Sequence, residues 1–200
     1  MLMSWFLKRK VKLSSLVFER KCGEAAEIIK YLRLLGQSVR KVDIHANQSD
    51  RIMMTIATYC RNLTKFRALN VNVNSTLTDI LLNNPGMVEI DLNEVECQAV
   101  GVFDGLIFNN LRTLSVSTGE GILGYPWSES AFSDSLLYAE LGSTGMYVDD
   151  TAALVRNCPR LKAISLHSAH RDDSDMYMIL ATCPNLLHLD LFHNNGVTDN

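Results

Sequence analysis

Apolar residues recur along this chain in one frame, written L-x-x-L-x-L, with apolar side chains at the first, fourth and sixth positions and mostly polar ones between. The frame starts at residues 39, 63, 87, 111, 136, 161 and 186, at intervals of 24, 24, 24, 25, 25 and 25. Examples are Val39/Val42/Ile44, Leu111/Leu114/Val116 and Leu186/Leu189/Leu191, and an earlier copy, Leu13/Leu16/Phe18, precedes the first by 26. Chance apolar runs do not hold such a period. Within each copy the alternation predicts a short strand that buries every second side chain, because successive residues of a strand point to opposite faces.

Between the strands the periodicity changes from two to that of a helix. Helices are predicted over 22–35, 49–59, 94–108, 149–157 and 172–182, on runs such as Ile52, Ile56 and Tyr59. Ser49, Ser75, Asp149 and Ser174 stand near helix starts, where a side-chain oxygen can accept from unpaired backbone N–H groups. Strand and helix alternating every 24 to 26 residues predict an α/β leucine-rich-repeat solenoid, a horseshoe of about eight repeats. Parallel strands line its concave face and helices its convex face.

Cys60, Cys158 and Cys183 each stand three residues before a frame start, and Pro159 and Pro184 follow two of them. C-P-x-L-x-x-L-x-L resembles the cysteine-containing repeats of the F-box leucine-rich-repeat proteins, which are similar in fold to ribonuclease inhibitor. Val197-Thr198-Asp199 resembles the I-T-D that opens the helix in that subtype, and Leu77-Thr78-Asp79 echoes it. The resemblance covers roughly residues 13–200. It implies a protein-recognition role, in which the repeats would choose targets for an SCF-type ubiquitin ligase.

Composition agrees with a continuous core. Of 200 residues, 47% are hydrophobic, and a net charge of −3 gives no reason to expect nucleic-acid binding. The 5 cysteines are odd in number and show no C-x-x-C, which points to buried thiols in a reducing compartment, cytoplasmic or nuclear. The opening run M-L-M-S-W-F-L lacks the preceding charge of a signal peptide and is too short to cross a bilayer. Neither a membrane nor a cofactor is expected as a partner.

Residues 1–12 read as a short helix or cap whose Trp5, Phe6 and Leu7 cover the first repeat. Two other readings stay open: the remnant of a segment joining an F-box to its repeats, or a basic patch (Lys8, Arg9, Lys10, Lys12) for acidic lipid or protein. If the chain is whole, it resembles the target-reading half of a ligase receptor without the half that docks on the ligase. The repeat domain at 13–200 then has an open carboxyl end, where Leu186, Leu189 and Leu191 lack a neighbour to stack on. A fragment, or pairing with another chain, would account for that end.

The frame also predicts the working surface, since the residues two, four and six after each start point away from the core. The middle row reads Val17, Asp43, Arg67, Asp91, Ser115, Glu140, Ser165, Asp190 and is mostly acidic. Beside it stand His45, Asn93, Tyr138, His167, His188 and Phe192. Charge and aromatic anchors together suit a basic or amphipathic protein segment. Residues 117–130, S-T-G-E-G-I-L-G-Y-P-W-S-E-S, read as an irregular loop. Its Tyr125 and Trp127 either protrude toward a partner or fold back onto the helix layer. The literal G-x-G-x-x-G at Gly119, Gly121 and Gly124 precedes Pro126 rather than a helix, so a nucleotide site is not expected.

No catalytic set follows from spacing. Asp43 with His45, and Ser165 with His167, share a face, but no base, orienting carboxylate and nucleophile converge. Asp172, Asp173 and Asp175 lack the glycine and glutamate of a calcium loop and read as a carboxylate-rich helix start. The expected function is a non-enzymatic protein-interaction module with no metal. The alternatives are direct regulation or inhibition of an enzyme or small GTPase through the repeat surface, or a truncated fragment.

Overall fold

The computed structural model describes residues 2–18, 25–45, 50–70, 72–73, 75–97, 108–118, 134–142, 148–167 and 173–192. Among the described residues, eight strands form one open parallel sheet: β1 (Ser15–Phe18), β2 (Lys41–His45), β3 (Lys65–Leu69), β5 (Glu89–Cys97), β6 (Thr113–Thr118), β7 (Tyr138–Gly142), β8 (Ala163–His167) and β9 (His188–Asp190). A two-residue strand, β4 (Asn72–Val73), pairs with the far end of β5. The helices are α1 (Leu2–Lys8), α2 (Ala25–Leu35), α3 (Asp50–Tyr59), α4 (Ser75–Leu82), α5 (Val148–Asn157) and α6 (Asp173–Thr182). Helices neighbour each other in sequence order, α2 on α3, α3 on α4 and α5 on α6. This is the leucine-rich-repeat solenoid.

Register is strict. Val42, Phe66, Ile90, Leu114, Ala139, Ile164 and Leu189 are paired from strand to strand, each at the fourth frame position. From Val39 to Leu166 every frame residue of the seven central copies except those of the last is buried. Full burial of an aliphatic side chain is worth about 1.5–3 kcal/mol, so a one-residue slip of a strand, which would turn its apolar set to solvent, is heavily disfavoured. Leu186, Leu189 and Leu191 are only partly buried against this core.

One carbonyl per repeat ties each strand start to the next. Ser14 O accepts from Arg40 N and Lys41 N at 2.8 and 2.9 Å, and Arg40 O accepts from Thr64 N and Lys65 N at 2.8 and 3.1 Å. Thr64, Val88, Arg112, Leu137 and Lys162 repeat the pattern, so Leu187 N and His188 N close on Lys162 O at 2.8 and 3.1 Å. The rim on which strands begin is thereby a continuous hydrogen-bonded edge.

Three sequence expectations change here. Residues 94–97 belong to β5 and not to a helix. Glu94 takes a positive φ of 51°, the register shifts between Leu92 and Val95, and the strand then continues with Val95 paired to Thr118. Partners on both sides capture it: β4 pairs with Glu96 and Cys97, while Glu94 N donates to Ser117 Oγ at 3.0 Å. By the same pairing Ser117 and Thr118 lie in β6, at the start of the expected loop. Third, Phe6 and Leu7 pack on the core but Trp5 stays 47% exposed with the Arg9 guanidinium 4.9 Å over its ring. Adjacent helical residues point about 100° apart, and a two-turn helix buries one face.

The cysteine position is a joint between repeats. Cys60, Cys158 and Cys183 are buried, and the Cys183 thiol donates to Cys158 O at 3.8 Å. Burial pushes the Cys60 and Cys158 thiols up to about 12, with Cys183 and Asp134 adding to the effect at Cys158. In the repeat starting at Met87 the same slot holds Asn84, 1% exposed, which does the job more fully. Its Nδ2 donates to Cys60 O and Ile80 O, both at 2.8 Å, and its Oδ1 accepts from Leu63 N at 2.7 Å.

Candidate functional site

Among the described residues the helices lie on one face of the sheet and no helix lies on the other, the concave face. Adjacent strands lie about 4.8 Å apart, so register alone turns the polar positions into three rows. The middle row runs Val17, Asp43, Arg67, Asp91, Ser115, Glu140, Ser165, Asp190, each residue paired to the next. These are the residues expected there from the frame. Their chemistry is less uniform than a bare acidic stripe.

On β2, β3 and β5 the carboxylates face the chain's own cations. Arg67 Nε lies 2.9 Å from Asp91 Oδ2, and Lys65 Nζ lies 2.6 Å from Glu89 Oε2. Asn93 Nδ2 donates to the other oxygen of Asp91, and Ser117 Oγ donates to Asn93 Oδ1 at 3.0 Å. Partial burial raises the Asp91 carboxyl above its ordinary range; Arg67 opposes this, and the charges of Glu140, Asp43 and Glu89 add to it. Asp43 departs from expectation. It is 7% exposed rather than open to solvent, standing between Val17 and Arg67 in register. His45 Nε2 lies 3.1 Å from Asp43 Oδ1, although that oxygen accepts no hydrogen bond. The contact is close but poorly directed for a hydrogen bond.

On β6 to β9 the face has a different character. Among the described residues its open face carries Glu140 and Asp190 but no Lys or Arg. Glu140 accepts from Ser115 Oγ at 3.2 Å and is exposed. Tyr138 is 48% exposed and Phe192 59%. Phe192 meets His167 edge to face, with ring centroids 5.9 Å apart. His188, at the start of β9, is exposed. Ser115, Ser165, Ala163 and Gly142 keep the floor between these groups low.

Ser165, His167 and Asp190 converge as spacing alone did not show. Ser165 Oγ lies 2.7 Å from His167 Nε2, and that same nitrogen lies 3.2 Å from Asp190 Oδ2. Ser165 Oγ also donates to Asp190 Oδ2 at 3.2 Å. The hydrogen bond from His167, with help from Ser165 and Phe192 N, holds the Asp190 carboxyl below its usual range. In a serine-histidine-aspartate nucleophile the two partners occupy opposite ring nitrogens. Here they share one, which makes a cross-strand tie between β8 and β9. The signal for it was the repeat interval of 25, which puts residues 165 and 190 side by side.

Tyr125 and Trp127 lie outside the described residues. Of the other expected site residues, Glu140, Tyr138, His167, His188 and Asp190 gather on β7 to β9; Arg67, Asp91 and Asn93 form a separate bonded group on β3 and β5; and Asp43 with His45 form a third on β2.

No family model matches this chain, and no curated protein matches it in sequence. Among solved structures, the chain is similar to a chain in the crystal structure of the Rad7 and Elc1 complex in yeast. That likeness has a TM-score of 0.49 and 12% sequence identity, over 99% of this chain and 67% of the other.

Proposed function

We propose that this chain is a non-enzymatic protein-recognition module that takes its partner on the β7 to β9 part of the concave face. The observation that supports the reading is a sheet surface, uncovered among the described residues, on which Glu140 and Asp190 stand with no described Lys or Arg on the same face of β6 to β9, beside exposed Tyr138 and Phe192. Aromatic side chains over a low floor supply contact area, and the carboxylates of Glu140 and of Asp190, the latter at its tie to His167, steer a basic segment. The finer reading, target selection for an SCF-type ubiquitin ligase in the cytoplasm or nucleus, rests on the cysteine-bearing frame at Cys60, Cys158 and Cys183.

The test compares tagged wild type with Tyr138→Ala/Glu140→Lys/Asp190→Lys in pull-downs from source-cell lysate, read by mass spectrometry. Asp43 is left alone, since it is buried and its replacement would disturb the fold. A partner held by the wild type and lost by the variant is expected, with cullin-ligase components retained by both. Identical partner sets for the two proteins would refute the concave-face reading, and absence of ligase components would refute the finer one.

A further inference from the structure

The rim on which strands begin carries a charge opposite to that of the whole chain. Residues 9–14, 36–40, 60–64, 84–88, 108–112, 134–137, 158–162 and 183–187 make up this edge. They hold 8 of the 19 Lys and Arg residues and, in Asp134, 1 of the 22 Asp and Glu residues. Three cations, Arg40, Arg112 and Lys162, occupy the position whose carbonyl ties each strand to the next. Arg61, Arg160 and the Arg9, Lys10, Lys12 run stand on the same rim, and all eight are exposed. None makes an ion pair with a carboxylate among the described residues.

Apolar residues interrupt the tied positions. In strand order these read Ser14, Arg40, Thr64, Val88, Arg112, Leu137 and Lys162, followed by the equivalent residue before β9, Leu187, so from β5 onward apolar and basic residues alternate strand by strand. Leu187 is 83% exposed. Steps of about 4.8 Å put Arg40 about 14 Å from Arg112, and Arg112 about 10 Å from Lys162. An α-helix advances about 5.4 Å per turn, close to one strand spacing, so the residues of a helix laid along the rim that face it are those three or four apart. At the β1 and β2 end a cavity of about 570 Å³ opens between Lys12, Ser14, Leu35, Arg40 and Asn62, with room for a side chain.

We infer that this rim is a second interaction surface, and that it takes an acidic amphipathic helix of a partner protein. The helix is about 20 residues long, the span of seven strands at 1.5 Å per residue; its acidic side chains lie about 14 Å and then about 10 Å apart along one face, with apolar side chains between them and beyond the last. The carboxylates face Arg40, Arg112 and Lys162, and the apolar residues face Val88, Leu137 and Leu187. A phosphate track would be better served by unbroken charge, and it is the apolar alternation that favours a polypeptide. The knitted carbonyls hold the side-chain spacing fixed, so order along the helix, and not charge alone, sets affinity.

The test is fluorescence anisotropy with a labelled 20-residue helical peptide carrying, on one face, Glu at the spacing of Arg40, Arg112 and Lys162 and Leu at the spacing of Val88, Leu137 and Leu187. A peptide of the same composition with those residues spread around the helix is the comparison. Single-stranded and duplex DNA 20-mers, and vesicles of phosphatidylcholine with phosphatidylserine, are measured beside it. The ordered peptide is expected to bind the wild type at least about tenfold more tightly than the spread one, more weakly as salt rises. Arg40→Glu/Arg112→Glu/Lys162→Glu is expected to lose that binding, and Leu137→Ser/Leu187→Ser to weaken it with the salt dependence unchanged. If the first variant does not melt like the wild type, the corresponding glutamine triple takes its place. Equal affinity for both peptides, indifference to the variants, or tighter binding of DNA or vesicles would each overturn the inference.

Discussion

Replacing Asn84 by alanine isolates what one side chain contributes to stacking two repeats. The change removes three hydrogen bonds, at 2.7, 2.8 and 2.8 Å, and leaves Leu63 N, Cys60 O and Ile80 O without this partner at a site that is 1% exposed. At about 1 kcal/mol net for each bond, the loss comes to about 3 kcal/mol. For a chain of this length about 1 kcal/mol moves the melting temperature by roughly 2–4 °C, so the expected drop is about 6–12 °C. Asn84→Cys is the informative companion, because Cys183 occupies the same slot and donates to the preceding repeat's carbonyl at 3.8 Å. A thiol restores one weak donor and no acceptor for Leu63 N, so its stability should fall between alanine and wild type. Asn84→Asp keeps the acceptor but sets a carboxylate against two carbonyl oxygens, and should be the least stable of the three. Thermal melts followed by circular dichroism give the order, and amide exchange at Leu63 gives the site. An alanine variant melting within about 2 °C of wild type, with Leu63 still protected, would refute the assignment of Asn84 as the joint.

Other perturbations follow from the same packing. The Cys60 and Cys158 thiols, ordinarily near 9.0 and pushed to about 12 by burial, stay protonated in the folded chain while their unfolded counterparts ionise. Their contribution is complete below pH 9 and is lost as pH rises through the window from 9 to 12. Each thiol should cost roughly 2 kcal/mol at about pH 10.5. Denaturant midpoints for wild type should therefore fall more steeply between pH 8.5 and 10.5 than those of Cys60→Ala/Cys158→Ala, and parallel slopes would count against it. Gly36→Ala should destabilise, since a Cβ there would meet backbone O and C of Tyr59 at 3.1 and 3.2 Å, whereas Gly86→Ala meets nothing within 4 Å and should melt at or slightly above wild type. Cys183→Asp puts an unpaired charge where the residue is 2% exposed, and an unchanged melting temperature would contradict its place in the core.

Much of the site was legible because a repeat converts sequence distance into spatial distance. The middle row from Val17 to Asp190 follows from the frame starts, and the pairing of Ser165 with Asp190 follows from an interval of 25. What spacing could not supply is which of these groups already satisfy one another. Arg67 and Asp91 are 24 residues apart and look like two independent members of a row until their side chains are seen 2.9 Å apart. Asp43 carries the same frame position as Glu140, yet one is buried and the other open. The run from Glu94 reads as helical because no local rule records that β4 and β6 offer it pairing on both sides.

The apolar period by itself determined the architecture: residues two apart on a strand share a face, the first frame position is buried just before each strand begins, and a 24 to 26 residue repeat buries them all by stacking parallel strands. It determined the concave rows as well, since burying one face turns the other out. The tertiary structure decided the electrostatic division of that face, the role of Asn84 at the cysteine slot, and the basic rim with its apolar alternation. Each of these depends on side chains from different repeats meeting across a strand spacing of about 4.8 Å. A periodic sequence brings them together, but the contacts a side chain makes there depend on its length, its donors and its neighbours in space.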